Sequence, residues 1–446
     1  MHLLLTAKPT RFIWIVFFSL LINSAQHIYI RYHYINIKLL FLFPINACML
    51  KNKLLSLLLL LSTCISAQTS PSDTLLSNNK DLGDVFHSLF HKHIVHHKED
   101  SAKKYYISFI PAAGYSLQTG WAAVISGNLA FKNSSSPTQK ESSITSSFTY
   151  SQYNQTIIPF IANIWTKDNK LNFTTDFRFI QYPSDIYGLG GRTDPNQGYT
   201  INFTGLKLHQ SVQKQIANNL YVGLGLYYDQ YWNIKALDSL KRNIAHRLAN
   251  KLGTAEISSG VALKFLYDSR LNQINPQQGF YANMVYRPSF KFLGSDENWE
   301  SLLADVRTYL PFPRSSHNIL AFWGLAWLSV GSNTPPYLML PSTGWDENYN
   351  TGRGYIQGRF RGKNMFYAET EYRARLTRNN LVHGVLFLNA EKFSDDLSPT
   401  YTIIKPGYGL GIRLNLNKTS STNVCLDYGF GNNGSRGFFV NIGEVF

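Results

Sequence analysis

Cysteine is nearly missing from this 446-residue chain: there are three, Cys48, Cys64 and Cys425. The first two lie in apolar N-terminal segments that processing is expected to remove, which leaves one thiol. That excludes a disulfide framework or a cysteine metal centre. Charge is also sparse, at 15% of residues, low for a soluble protein of this size. No stretch outside the leader region reads as a membrane-spanning helix: Phe12 to Ile22 and Leu39 to Phe43 fall short of the roughly 20 residues required. No Gly-x-Ser-x-Gly elbow and no Walker sequence occurs, and His383 is a lone strand histidine with no identifiable Ser partner, so neither a hydrolase nor a nucleotide-binding site is indicated. The net charge of +15 is spread through apolar alternations and turns rather than gathered in a stripe, which argues against nucleic acid. No catalytic residue, cofactor or metal is expected.

Aromatic residues are abundant, at 14% with 27 Tyr and 29 Phe. Such an excess suits the interface girdles of a membrane barrel.

The N-terminus reads as an address. Met49-Leu50-Lys51-Asn52-Lys53, the run Leu54 to Leu61 and Ile65-Ser66-Ala67 have the order of charged region, apolar region and cleavage site. Residues 1–48 are therefore expected to be an untranslated upstream segment, 49–67 a signal peptide, and Gln68 the first mature residue. Leu61-Ser62-Thr63-Cys64 is the competing lipidation reading, although Thr stands where a small residue is usual. Residues 68–104 form a polar His/Lys-rich segment expected in the periplasm. Within it His87/His91 and His93/His97 have helical spacing for a shared metal. Phe86, Leu89, Phe90, Ile94 and Val95 instead predict a short amphipathic helix whose basic face meets water or an anionic surface, and this reading is preferred.

From Tyr105 to Phe446 the dominant period is two, broken by clusters of Gly, Asn, Asp, Pro and Ser. In Leu220 to Asp229, Leu220, Val222, Leu224 and Leu226 face one way and Tyr221, Gly223, Gly225 and Asp229 the other. Tyr408 to Leu416 repeats the arrangement. A soluble sandwich shares this local pattern, so the number and length of strands must decide. Sixteen strands can be placed, beginning near Tyr105, Trp121, Ser143, Thr156, Lys170, Tyr199, Leu220, Ala255, Phe280, Trp299, Asn318, Met365, Leu381, Thr402, Asn423 and Gly437. That even number, in a chain addressed to the periplasm, predicts an all-β, 16-stranded antiparallel transmembrane barrel over 105–446 with both sheet edges paired.

Three motifs resemble the BamA/TamA family of outer-membrane proteins, the bacterial surface antigen barrels. The chain ends on Phe438-Phe439-Val440-Asn441-Ile442-Gly443-Glu444-Val445-Phe446, whose Ile442, Gly443 and terminal Phe446 look like that family's C-terminal insertion signal, with Glu444 at a position where barrel signals are usually apolar. A long insertion, Gly331 to Asn364, contains Gly352-Arg353-Gly354-Tyr355 and resembles the family's Arg-Gly-aromatic loop between the eleventh and twelfth strands. Asp268, Arg270, Pro276 and Gly279 look like the turn into the ninth strand, where Asp268 and Arg270 can pair at the lumenal rim.

The resemblance implies that the long loop folds into the lumen and that Arg353 meets polar groups on the wall. Glu369 and Glu371 alternate along the twelfth strand, and Asn389 stands on the thirteenth where the family has Asp. Arg359 and Arg361 are also expected to need carboxylates. It further implies a barrel in the bacterial outer membrane among lipids and lipopolysaccharide, with its N-terminus periplasmic; most members carry tandem periplasmic domains, and because only 68–104 is available for them here, a barrel lacking POTRA domains is expected. Its first and last strands would close weakly, and it would assemble or translocate polypeptides, with unfolded outer-membrane clients or a periplasmic partner. The alternative is a plugged pore or structural barrel without insertase activity.

Overall fold

The computed structural model describes residues 79–90, 105–136, 138–237, 255–314, 316–347, 349–394, 403–418 and 421–446. The expectations for the upstream segment, the signal peptide and His91, His93 and His97 lie outside these residues.

Sixteen strands run antiparallel in sequence order: β1 (Tyr105–Ser116), β2 (Gly120–Phe131), β3 (Ser142–Ser151), β4 (Thr156–Trp165), β5 (Leu171–Gln181), β6 (Tyr199–Ala217), β7 (Leu220–Ala236), β8 (Ala255–Asp268), β9 (Gly279–Ser289), β10 (Trp299–Pro311), β11 (Ile319–Val330), β12 (Asn364–Arg375), β13 (Val382–Phe393), β14 (Lys405–Asn417), β15 (Thr422–Phe430) and β16 (Arg436–Ile442). A further three-residue strand, Ser184–Ile186, pairs with the start of β6. The predicted strand starts fall within a few residues of these bounds, because alternation and turn residues are local signals.

Each strand puts one side-chain set inward and the other outward. On β12, Met365, Tyr367, Glu369, Glu371 and Arg373 are buried, while Phe366 is exposed. On β13, Leu386 and Leu388 are exposed and Asn389 and Glu391 are buried. An apolar outer wall backed by a polar, charged interior is the pattern a bilayer selects, and from β1 through β16 each strand is laddered to the next, which satisfies the backbone groups between them. The long connections 182–198 and 331–363 lie at one end of the barrel, and turns such as 218–219 close the other.

The barrel is nearly closed. Continuous registers join β1 to β2 and each later strand to the next through β16, but among the described residues none joins β1 to β16. These two strands meet at the long-loop end, where a Cβ on Gly114 would lie 3.6 Å from Val440 Cγ2 and a Cβ on Gly437 would collide with Leu117. The expectation that both sheet edges are paired is thus corrected. The strand alternation of β16 ends at Ile442, and Gly443 takes a left-handed φ of 86°, a conformation open to glycine that turns the last residues inward, away from the edge of β1.

A helix, α1 (Leu82–Phe90), precedes the barrel. It begins earlier than the predicted apolar stripe because Asp81 and Asp84 form a reciprocal cap: Asp84 N–H donates to Asp81 Oδ1 at 2.9 Å and Asp81 N–H to Asp84 Oδ2 at 3.0 Å, a capping-box arrangement. The segment is tied to the turns at the short-turn end, with Lys80 N–H donating to Asn379 O at 2.9 Å and Lys418 Nζ lying 3.2 Å from Asp84 Oδ1.

Candidate functional site

The loop 331–363 returns into the lumen. Positive φ at Gly352 (77°), Gly354 (120°) and Gly358 (80°) makes its reversals, and Tyr337, Leu338, Leu340, Tyr355 and Phe360 are buried in two apolar clusters with the wall. A connection this much longer than the median of about 4–6 residues must pack or disorder. Here it packs.

Arg353 is 2% exposed. Its guanidinium bonds Glu369 and Glu371, and Nη1 donates to Asp427 Oδ2 at 2.6 Å. The ring of Phe387 lies beneath it, 3.9 Å from Cζ to centroid. Three carboxylates around one fork compensate its desolvation, which would otherwise cost several kcal/mol. Glu369 and Glu371 stand two residues apart on the inner face of β12. Asp427, on β15, was not foreseen: it stands more than seventy residues along the chain, and only the curvature of the wall brings it under the loop. Asn389 does not receive the guanidinium. Its Nδ2 donates to Arg353 O at 2.9 Å, so it holds the loop backbone.

The backbone at 353–354 lies in a trough of glycines. A Cβ on Gly407 would stand 2.5 Å from Arg353 O, and one on Gly429 would stand 2.8 Å from Gly354 N. Tyr355 closes the trough: its hydroxyl donates to Pro406 O at 2.7 Å and accepts from Asn432 N–H at 2.9 Å.

Among the described residues no carboxylate pairs with Arg359 or Arg361, contrary to expectation. Arg359 donates to Thr193 Oγ1 and O at 2.7 and 2.6 Å, and Arg361 Nη1 to the carbonyls of Tyr337 and Leu340 at 3.0 and 3.2 Å. Fixed carbonyl dipoles supply the acceptors there.

The C-terminal residues join the same network. Arg413 reaches Asp427 Oδ1 through Nη1 at 2.5 Å and Glu444 Oε2 through Nε at 3.0 Å. Arg373 bonds Glu371 Oε2 at 2.7 Å and Phe446 O at 3.0 Å. Phe446 stacks on Trp323 at 5.3 Å, and the loop's Asn350 donates to Val445 O at 2.7 Å. Glu444, a departure from the usual signal, is therefore an ion-pair partner in the lumen. Of the signal residues, Ile442 stays on the outer wall while Gly443 and Phe446 turn inward.

At the turn into β9, Asp268 and Arg270 form an ion pair. Arg270 Nε and Nη2 meet Asp268 Oδ1 and Oδ2 at 3.0 and 3.3 Å, Gly279 opens β9 with a φ of 117°, and Pro276 lies in the turn between them. Lys140, from the β2–β3 connection, adds a second cation 3.6 Å from Asp268. Its burial pushes the ammonium down to about 8, against the opposing pull of Asp268.

A sixteen-stranded wall with an apolar outer face, an arginine loop locked inside and a seam between its first and last strands defines a class of outer-membrane barrel. The chain belongs to the Omp85 superfamily, whose domain matches residues 112–446. Among solved structures it is similar to BamA from Haemophilus ducreyi lacking POTRA domains 1-3, at 14% identity and TM-score 0.48, covering 76% of this chain and 70% of that one. It is also similar to CdiB from Acinetobacter baumannii, at 14% identity and TM-score 0.50, covering 77% and 60%, and to CdiB from Escherichia coli, at 11% and 0.50, covering 76% and 62%. The chain thus spans about three fifths of the two CdiB chains, at identities that show the fold alone. No curated protein matches by sequence.

Proposed function

We infer that this barrel assembles or translocates polypeptides at the outer membrane without enzymatic chemistry, its N-terminal segment in the periplasm and its seam as the place where a client strand engages. The observation that carries this reading is the edge of β1. Among the described residues no ladder covers it, and its outward residues Ile107 and Phe109 are 65% and 77% exposed. A free edge with apolar alternation is a template for another strand. Unfolded outer-membrane proteins are the clients proposed, delivered directly or by a periplasmic partner, with lipid and lipopolysaccharide around the wall.

One observation favours a second reading, a plugged pore or structural barrel. The loop is held by buried ion pairs on β12 and β15, an arrangement that also suits permanent closure. Depleting the protein in cells while following outer-membrane protein levels, together with planar-bilayer conductance of the purified barrel, tests both. Assembly predicts falling client levels and crosslinks from a photoreactive residue at Ile107 to other barrels. Unchanged levels and no crosslinks would leave the pore or structural reading.

A further inference from the structure

A lysine on the lipid face of a membrane barrel is costly at mid-membrane and tolerated only towards the interface. Lys214 is such a residue. Alternation along β6 turns Val212 and Lys214 outward, where both are exposed, and leaves Ser211 and Gln213 buried. Its cross-strand neighbours are apolar, Leu171 on β5 and Val222 on β7. Among the described residues no carboxylate pairs with it.

Beside this lysine the outer wall is indented. A groove of about 300 Å³ lies over β6, β7 and β8, lined by Val212, Val222, Leu224, Leu263 and Phe265, with Lys214 at its side. That volume is at the lower end of the range for small-molecule sites, roughly 300–1,000 Å³. The register accounts for the dent. Val212, Leu224 and Leu263 form one cross-strand row and Lys214, Val222 and Phe265 the next, so the short Val222 is flanked by longer side chains. Depth follows from the rings: one step nearer the short turns, Tyr267 and Phe280 pair at 6.0 Å between centroids, as in an interfacial girdle. Lys214 can therefore snorkel to headgroup level. The adjacent turn, whose Lys170 O accepts from Gln215 N–H at 2.9 Å, exposes Lys167 and Lys170 against one carboxylate, Asp168.

We propose that this groove holds one phospholipid of the leaflet at the short-turn end, with an acyl chain over Val222 between Leu224 and Phe265 and its phosphate on Lys214. Exposed apolar lining suits a chain, and the unpaired ammonium suits an anionic headgroup. A polypeptide strand is disfavoured, because β6, β7 and β8 are laddered on both sides and offer no free edge. The inference rests on lipid surrounding the wall and is independent of the assembly reading.

The test uses native mass spectrometry of the whole barrel released from detergent, after incubation with phosphatidylglycerol or with the diacylglycerol of the same chains, which lacks the phosphate. Phosphatidylglycerol should be retained saturably at one equivalent. Lys214→Gln should weaken it by about fivefold, the effect of one interfacial lysine, and leave the diacylglycerol unchanged. Val222→Trp, or Val212→Trp if the first variant fails to fold by heat-modifiable gel mobility, should fill the groove and abolish retention of both. Leu386→Trp, at an exposed outward position on β13, should change nothing. Lipids retained in graded steps that ignore the filling variants would overturn the site, as would a lipid-independent dimer that Val222→Trp dissociates. Equal weakening of both lipids by Lys214→Gln would overturn the headgroup assignment.

Discussion

Arg413 donates through Nε to Glu444 Oε2 at 3.0 Å, so the C-terminal tail is bonded to the strand wall that also anchors the loop. The same guanidinium holds Asp427, and Asp427 holds Arg353. Loop and tail are thus two ends of one buried charge network, which makes their stabilities testable together.

Arg353→Ala removes the cation from three buried carboxylates. Breaking such a site costs about 3–5 kcal/mol, so the urea midpoint of the folded barrel should fall and the loop should become cleavable by added protease. Arg353→Lys should recover only part, because a point charge cannot fork between Glu369 and Asp427. Wild-type protease resistance in the alanine variant would show that apolar packing alone seats the loop.

Gly354→Ala should unseat the loop by steric means. Its Cβ would stand 2.6 Å from Phe430 O, whereas Gly434, which also has a positive φ, has nothing within 4 Å. Gly434→Ala is expected to lose only the roughly 1 kcal/mol of backbone strain. If both variants show the same protease sensitivity, close approach is not what selects glycine at 354.

Glu444→Gln should loosen the tail without disturbing β16, since it weakens the acceptor that Arg413, Arg373 and Asn423 share beyond the end of that strand. Phe446→Ala removes a buried ring and should destabilise by about 3–5 kcal/mol. Because Phe446 stacks on Trp323, both variants should shift the tryptophan emission. An unchanged spectrum and midpoint in both would mean that the tail is not seated in the lumen.

The seam should crosslink at one end only. A Cβ at Gly114 would lie 3.9 Å from Val440 Cβ, within the separation a disulfide accepts. With the native cysteines removed, Gly114→Cys with Val440→Cys should therefore oxidise readily. Phe109→Cys with Glu444→Cys is the outward-facing pair that a straight continuation of β16 would bring together, and it should stay reduced, since Gly443 turns the last residues into the lumen. Efficient oxidation of the second pair would show that the last strand extends along β1.

Strand number, strand bounds and the position of the inserted loop were legible because each rests on local signals: side-chain alternation with a period of two, turn residues, and a connection too long to be a hairpin. Glu369 and Glu371 were legible for the same reason, being two residues apart on the strand that follows the loop. Asp427, the glycine trough under Arg353 and the carbonyl acceptors of Arg359 and Arg361 were not, because which residues of distant strands share one level of the lumen depends on how the sheet curls and staggers as it closes. The capping pair Asp81 and Asp84 was a readable signal that the apolar stripe obscured. The chain's own alternation determined that it would form a barrel with a loop to bury. Tertiary structure alone decided that the last four residues would leave the wall at Gly443, because the charge and ring partners that draw them inward, Arg413, Arg373 and Trp323, become neighbours only once the barrel has curved.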